Sequence, residues 1–520
     1  MSLSLGSLYG TGTTSVLRVG ASRHGAPVGA AVSFTLGGTG GALRCSCYGC
    51  QASATATGGT APTTGGVQRN PTPPDYTDRI KRSTSSTVNA LLAGGNRWFH
   101  TAGASGEVPS AVAKRSISYS FIESSAGLNA MDANGFQALN TTQRDRVRDA
   151  FATLSDIVNV SFTEVASGGD IQFGSNAQAN SAGYARYPNE GSQVFMANNQ
   201  AGFDGAWEEG SYAWTTLLHE TGHALGLKHP GNYNAGGGGT PGPYLPAGTD
   251  HRNNTLMSYR NAGNVTRIGY ENGSFSKSVV NASTYQGYDI AALQYLYGAS
   301  TTVQVGTYSF ADGEALNKTL WNPNEGSRID LSNQTGANVV DLRAGRRSSI
   351  GIVDPYGDMP FTKAQYGALT SGGRTIASIL GRPTYTGQNN LLIAQGSRFT
   401  EATGGSGTDK LVANTIGGRV DGGGGDDELY WTGGDLQAAG GAGNDTLLLR
   451  RVAGARWTVA SDGSSATLTR TNALTQQVTT LATVSMSGIE SVRWWDGTAM
   501  RATGVALYTA PASPSVNLSV

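Results

Sequence analysis

The segment His219-Glu220-Thr221-Gly222-His223-Ala224-Leu225-Gly226-Leu227-Lys228-His229 limits what this chain can fold into more than any other. It reads H-E-x-x-H-x-x-G-x-x-H. Residues four apart share one face of a helix, so His219 and His223 can turn both imidazoles toward one metal ion. The chain must then reverse. Gly226 lacks a Cβ and can take the positive φ that ends a helix, which brings His229 back as a third ligand. Three imidazoles leave the fourth position of a zinc ion open, as catalytic zinc requires. Glu220 adjoins the first ligand and is placed to take a proton from water held there. Three of the six histidines lie in this run; the others are His24, His100 and His251.

Downstream, Thr255-Leu256-Met257-Ser258-Tyr259 supplies a second element. A long histidine motif followed by a Met-turn is the mark of metzincins. A methionine beneath the imidazoles gives them a flexible, polarisable floor.

With these motifs the chain resembles the serralysin-type metzincin peptidases. The likeness continues through His229-Pro230-Gly231-Asn232-Tyr233-Asn234-Ala235-Gly236, Met257-Ser258-Tyr259 and Asp289-Ile290-Ala291-Ala292-Leu293-Gln294-Tyr295-Leu296-Tyr297-Gly298. It resumes at Val340-Asp341-Leu342-Arg343-Ala344-Gly345 and Ser348-Ser349-Ile350-Gly351, which resemble the start of the family's calcium-binding half. It spans about residues 80 to 450. The resemblance implies that His219, His223 and His229 ligate one catalytic zinc, that Glu220 is the general base, and that Tyr259 ligates zinc at rest and swings to stabilise an oxyanion. Gly226 and Met257 are then structural residues of the site.

The chain has 520 residues, enough for two or more domains. Its 36 basic and 36 acidic residues balance, which argues against nucleic acid or an anionic membrane surface as partner. No run of 18 apolar residues occurs, so no membrane span is expected. No basic start followed by an apolar stretch marks a signal peptide. The resemblance implies instead release through a one-step (type I) exporter that reads a C-terminal signal. The tail Ser515-Val516-Asn517-Leu518-Ser519-Val520 is apolar-leaning, as such a signal or a frayed terminus would be. The three cysteines, Cys45, Cys47 and Cys50, are too few and too crowded for a disulfide framework. They read as thiols of a disposable leader, as a thiolate that blocks zinc in a precursor, or as a partial metal site.

Residues 1–75 are rich in Gly, Ser, Thr and Ala and hold no sustained period, so a flexible leader or propeptide is expected. Residues 76–297 read as the peptidase domain. Ser116–Phe121 alternates like a strand. Thr141–Ile157 carries Val147, Ala150, Phe151 and Leu154 on one helical face. Val160–Val165, Ile171–Phe173 and Ser192–Ala197 read as further strands. The resemblance implies that the last borders the cleft; its unpaired edge either holds extended substrate or is an edge strand and nothing more. A Gly- and Pro-rich loop between His229 and Met257 can wall that cleft.

The second half repeats. Gly404-Gly405-Ser406-Gly407-Thr408-Asp409 returns 18 residues later as Gly422-Gly423-Gly424-Gly425-Asp426-Asp427, and again as Gly440-Gly441-Ala442-Gly443-Asn444-Asp445. Leu411, Val420, Leu429, Ala438 and Leu447 hold an apolar period of nine. This is the nonapeptide pattern of calcium-loaded parallel β-rolls. Glycine carbonyls and the carboxylates of Asp409, Asp427 and Asp445 offer the oxygen ligands that suit calcium. One ion per gap between three stacked loops gives about two ions. The loops on the other side, Ala413–Asp421 and Trp431–Ala439, lack the pattern. At Trp321-Asn322-Pro323-Asn324-Glu325-Gly326-Ser327 the family's usual carboxylates and glycines are replaced, and no calcium site is expected there. Gly488-Ile489-Glu490-Ser491-Val492 and Asp496-Gly497-Thr498 resemble a terminal module of calcium-repeat proteins, assigned to capping and export.

The expected architecture is an α+β metzincin domain followed by an all-β parallel β-roll over 298–450 and a β-rich cap over 451–520. The expected function is that of a secreted, monomeric zinc endopeptidase acting on extracellular polypeptides. A calcium-dependent surface protein with a degenerate peptidase fold is the rival, and the intact Glu220 argues against it.

Overall fold

The computed structural model describes residues 83–93, 98, 114–188, 192–234, 239–271, 274–357, 359–371, 374–496 and 498–502. It gives the backbone alone of residues 371 and 495 and of four strands, Leu3–Leu5, Val16–Ala21, Val32–Thr35 and Arg44–Cys47. The remainder of the leader, Cys50 and the tail 515–520 lie outside the described residues. Two compact units result. The first comprises 1–301 and 354–386, the second 302–353 and 387–520.

The first unit is built on a sheet whose strands run, in spatial order, Arg44–Cys47, Ser181–Ala185, Gln193–Ala197, Ile171–Asn176, Arg115–Phe121 and Val160–Glu164. All neighbours pair in parallel except Ser181–Ala185 against Gln193–Ala197. Such strands are buried on both faces, and Ile171, Phe173, Val194, Phe195 and Met196 are fully enclosed. Helix Thr141–Ile157 starts at a capping box, Asn140 with Gln143. It turns Val147, Ala150, Phe151 and Leu154 inward, and Phe151 stacks on Phe162 at 4.5 Å. Helix Tyr212–Ala224 packs on Ser181–Ala185 and Gln193–Ala197. Gln193–Ala197 is therefore interior rather than the cleft border. Its neighbours on both sides consume its ladder, and Ser181–Ala185 lies next beyond it.

Residues 354–386 carry two short helices, Lys363–Ala368 and Ile376–Leu380. Tyr366, Leu369, Ile376 and Leu380 close a small core with Ile268 and Phe275 of the hairpin Thr266–Glu271/Ser274–Val279. That apolar contact places the stretch with the first unit.

In the second unit the chain runs mainly between two largely parallel sheets, beside a third of Lys318–Leu320, Leu391–Ile393 and Arg347–Ser348. One aligns Val340, Leu411, Leu429, Leu447 and Val492 on successive strands. The other aligns Ile329, Ala402, Val420, Ala438 and Met486. The period-nine residues Leu411, Val420, Leu429, Ala438 and Leu447 are all buried between the sheets. An antiparallel meander, Arg456–Val459, Ser465–Thr471 and Val478–Ser487, extends one sheet. Val478–Ser487 pairs in parallel with Asp435–Ala442, and Ser491–Trp495 then joins the opposite sheet. Among the described residues no helix is long and apolar enough to cross a membrane.

Candidate metal centre

Helix Tyr212–Ala224 begins at Ser211, whose hydroxyl accepts from Trp214 N. It ends in a Schellman motif: Gly226 N donates to His223 O and Leu227 N to Gly222 O, with Gly226 at φ +99°. An L-side chain would be strained at that φ, so the glycine makes the reversal possible. The helix puts His219 and His223 on one face, and the reversal returns His229 to them. His229 Nε2 lies 3.1 Å from both His219 Nε2 and His223 Nε2. Among the described residues this is the group of three potential ligands whose donor atoms converge.

Each Nδ1 sits against a backbone carbonyl: His219 on Leu256 O at 2.8 Å, His223 on Leu227 O at 2.6 Å, His229 on Tyr233 O at 3.2 Å. A carbonyl can only accept, so the proton sits on Nδ1 and the Nε2 lone pairs point at one another. Three converging lone pairs repel unless a cation lies between them. Tetrahedral zinc with Zn–N near 2.05 Å spaces its nitrogens by about 3.3 Å, close to what is seen. The donor set therefore fits zinc. Burial, above all, pushes His219 and His229 well below their ordinary value and His223 to about 4. All three are neutral at pH 7, the state a metal takes.

Met257 is fully buried beneath the helix, and a Cβ on Gly222 would meet its Sδ at 3.0 Å. The glycine between His219 and His223 thus lets the sulfur approach. Glu220 is fully buried. A Cβ on Gly183 of Ser181–Ala185 would come within 2.8 Å of Glu220 Cγ. This strand, not Gln193–Ala197, runs past the carboxylate. Tyr259 packs its ring on His229 at 4.5 Å and on Tyr233 at 4.9 Å.

Sequence reading missed the residues that hold these groups. Asp289 is buried, accepts from Thr255 Oγ1 at 2.6 Å and Leu256 N at 2.7 Å, and so fixes the turn whose carbonyl orients His219. Burial raises its carboxyl to about 6 against those hydrogen bonds, which leaves it largely ionised at pH 7.5. Asp250 accepts from Tyr233 and Ser258 hydroxyls, both at 2.7 Å, and steadies the segment that carries the Tyr233 carbonyl. Tyr285 donates to Leu218 O. Only the position of Asp289 in a quoted family segment hinted at any of these.

The loops 404–409, 422–427 and 440–445 also stack. Asp409 N donates to Asp427 Oδ1 at 2.7 Å, and Asp427 N to Asp445 Oδ1 at 2.9 Å. A Cβ on Gly404 would collide with Gly422 O, and one on Gly422 with Gly440 O. Gly405, Gly423 and Gly441, and Gly407, Gly425 and Gly443, are crowded by backbone in the same way. The second oxygens, Asp427 Oδ2 and Asp445 Oδ2, are buried without a hydrogen-bond partner. Burial first, and then the neighbouring carboxylates Asp409, Asp445 and Asp426, raise Asp427 to about 7. At 322–327 the pattern differs. Asn322 Nδ2 donates to Gln304 O and Asn324 Nδ2 to Val303 O, so neutral amides hold that turn.

No family model matches the chain. It is 31% identical to the metallopeptidase AprA of Pseudomonas marginalis over 328 residues, 58% of this chain and 60% of that one. It is 31% identical to a serralysin of Proteus mirabilis over 271 residues, 45% of this chain and 53% of that one. Serralysin G of Dickeya chrysanthemi is 29% identical over 336 residues, 59% and 60% of the two chains. The chain thus spans 53–60% of the length of these curated relatives. Among solved structures, myroilysin covers 40% of the chain at 15% identity and TM-score 0.24. High choriolytic enzyme 1, a hatching enzyme zinc-protease of Oryzias latipes, covers 43% at 14% identity and TM-score 0.21. At those scores the structural likeness carries no argument. Over the part that the curated relatives match, the chain is a homologue of the serralysin and AprA metallopeptidases.

Proposed function

We propose that the chain is a secreted zinc endopeptidase that hydrolyses peptide bonds of extracellular proteins. The convergence of three neutral imidazoles beside a buried carboxylate carries this reading. His219, His223 and His229 would hold one zinc. When bound, zinc supplies Lewis acidity that makes water nucleophilic at neutral pH and polarises a carbonyl. Glu220 takes the proton of the attacking water on its carboxylate and delivers it to the leaving amine. The Tyr259 hydroxyl donates to the oxyanion as it develops. Met257 and Gly226 keep the three rings in place. The test is casein cleavage by the calcium-refolded chain with its zinc content measured beside it. Tyr259→Phe is expected to lower kcat by about 10²-fold, as loss of one oxyanion donor does. Stopped assays with a quenched peptide, at unchanged zinc content, check this.

Residues 302–353 and 387–450 are proposed to form a parallel β-roll, with calcium in the gaps between the loops ending at Asp409, Asp427 and Asp445. Ions there would neutralise stacked buried carboxylates, including the unpartnered Asp427 Oδ2. Oxygen-only donors with glycine carbonyls suit calcium. The same reading makes the chain a monomer exported by type I machinery, folding its roll where calcium is plentiful.

Residues 1–75 are proposed to be a propeptide. The backbone of Arg44–Cys47 pairs in parallel with Ser181–Ala185, the strand that passes Glu220. It therefore occupies the edge along which an extended substrate would lie. Proline cannot donate to a ladder, so Ser46→Pro in the full chain weakens this contact. KM is expected to fall by about 3- to 10-fold with kcat unchanged, the worth of one or two ladder hydrogen bonds. An unchanged KM would remove residues 44–47 from the cleft.

A further inference from the structure

The stack of loops does not end at Asp445. Asp445 N donates to Glu490 Oε2 at 2.8 Å, just as Asp409 N donates to Asp427 and Asp427 N to Asp445. A Cβ on Gly440 would collide with Gly488 O, as one on Gly404 would with Gly422 O and one on Gly422 with Gly440 O. The ladder continues as well, since Ser491 N donates to Asp445 O at 2.9 Å and Val492 aligns with Leu447. The turn Gly488-Ile489-Glu490 thus takes the place of a fourth loop, although it lies 45 residues beyond Asp445 and has a single glycine. Gly488 adopts φ +56°, which a tight return between the two sheets requires.

Beside Gly440, where Gly488 O also crowds in, lies an oxygen with nothing to bind. Asp445 is fully buried, and its Oδ2 has no hydrogen-bond partner. The place where a Cβ of Gly440 would be lies 2.5 Å from that oxygen and also crowds Gly488 O. A buried carboxylate oxygen without a donor is costly unless a cation meets it. Glu490 adds a second carboxylate, and Gly488 a carbonyl. All are hard oxygen donors, and flexible geometry of this kind suits calcium better than magnesium, which demands a near-ideal octahedron.

We propose that Asp445, Gly488 and Glu490 complete a third calcium site, in which the terminal module supplies ligands rather than only a cap. The proposal rests on reading the loop stack as calcium-binding. It also explains why the meander 456–487 returns the chain into register. The return closes a metal site, so calcium binding and folding of the terminal module are one event.

Calcium stoichiometry of the full chain, by equilibrium dialysis with calcium alone, tests it. The wild type is expected to bind three ions and Glu490→Gln two, with the lost ion weakened at least tenfold. Glutamine keeps an acceptor for Asp445 N and removes only the charge, so the variant retains the stack. Asp445→Asn serves as a second probe and is expected to lose two ions. Two ions in the wild type, unchanged in Glu490→Gln, would overturn the third site and leave the loop stack intact. No calcium in the wild type would overturn the roll reading itself, and this site with it.

Discussion

Replacing Glu220 by Gln is expected to lower kcat by about 10²- to 10⁴-fold, the usual contribution of a general base, with one zinc per chain retained. The substitution is nearly isosteric. It leaves the helix and the ligands His219 and His223 in place, but an amide cannot accept a proton from water or pass one to an amine. Glu220 is fully enclosed against Gly183, so bulk solvent cannot readily substitute for it. Initial rates on a quenched peptide, beside metal analysis of the same samples, check the result. Loss of zinc together with loss of activity would assign Glu220 a structural part instead. A small effect on kcat would mean that another group handles the proton.

The second large effect comes from removing calcium. With chelator, and zinc restored, the second unit is expected to lose most of its β-structure at pH 7.5, as followed by circular dichroism of the full chain. The pH dependence of the calcium-free second unit follows from the carboxylate stack. Asp427 is raised from 3.8 to about 7 in the folded state, by burial first and then by its carboxylate neighbours. Asp409 and Asp445 are raised too, again mainly by burial. At these three carboxylates the folded second unit therefore holds more protons than the unfolded one between about pH 4 and 7, and their contribution to its stability falls as pH rises through that window. With calcium removed and zinc kept, the second unit should retain more β-structure, and melt higher, at pH 5 than at pH 7.5. Calcium should reverse that order, because it binds the deprotonated carboxylates. A calcium-free melting temperature of this unit that rises with pH would contradict the stacked-carboxylate account.

How much of this was legible in the sequence differs from residue to residue. The histidine run could be read because helical period and one glycine suffice to bring His219, His223 and His229 together. The apolar column of Leu411, Leu429 and Leu447 could be read because coil length fixes it. The ends of the stack could not. Asn338 precedes the first loop and donates to Asp409, and Glu490 follows the last, yet neither stands in a glycine-rich consensus. Backbone stacking sets their register, and backbone contacts leave little trace in residue type. The same holds for Ser181–Ala185, whose small residues gave no alternation, so Gln193–Ala197 was read as the cleft border in its place. Residues 354–386 looked like more of the second region. The core that Tyr366, Leu369, Ile376 and Leu380 share with Ile268 and Phe275, and the backbone bonds from Thr384 and Tyr385 to Thr266, assign them to the first. Asp289 was missed because a buried carboxylate that holds a turn by hydrogen bonds has no sequence signature of its own.

A catalytic zinc centre at His219, His223 and His229 ties zinc content to cleavage. Zinc content and casein cleavage, measured on one sample of the calcium-refolded full chain, test it most directly. One zinc per chain is expected, with cleavage that stops when zinc is stripped and returns when it is restored. A chain that binds no zinc, or that cleaves casein equally well without it, would contradict the account.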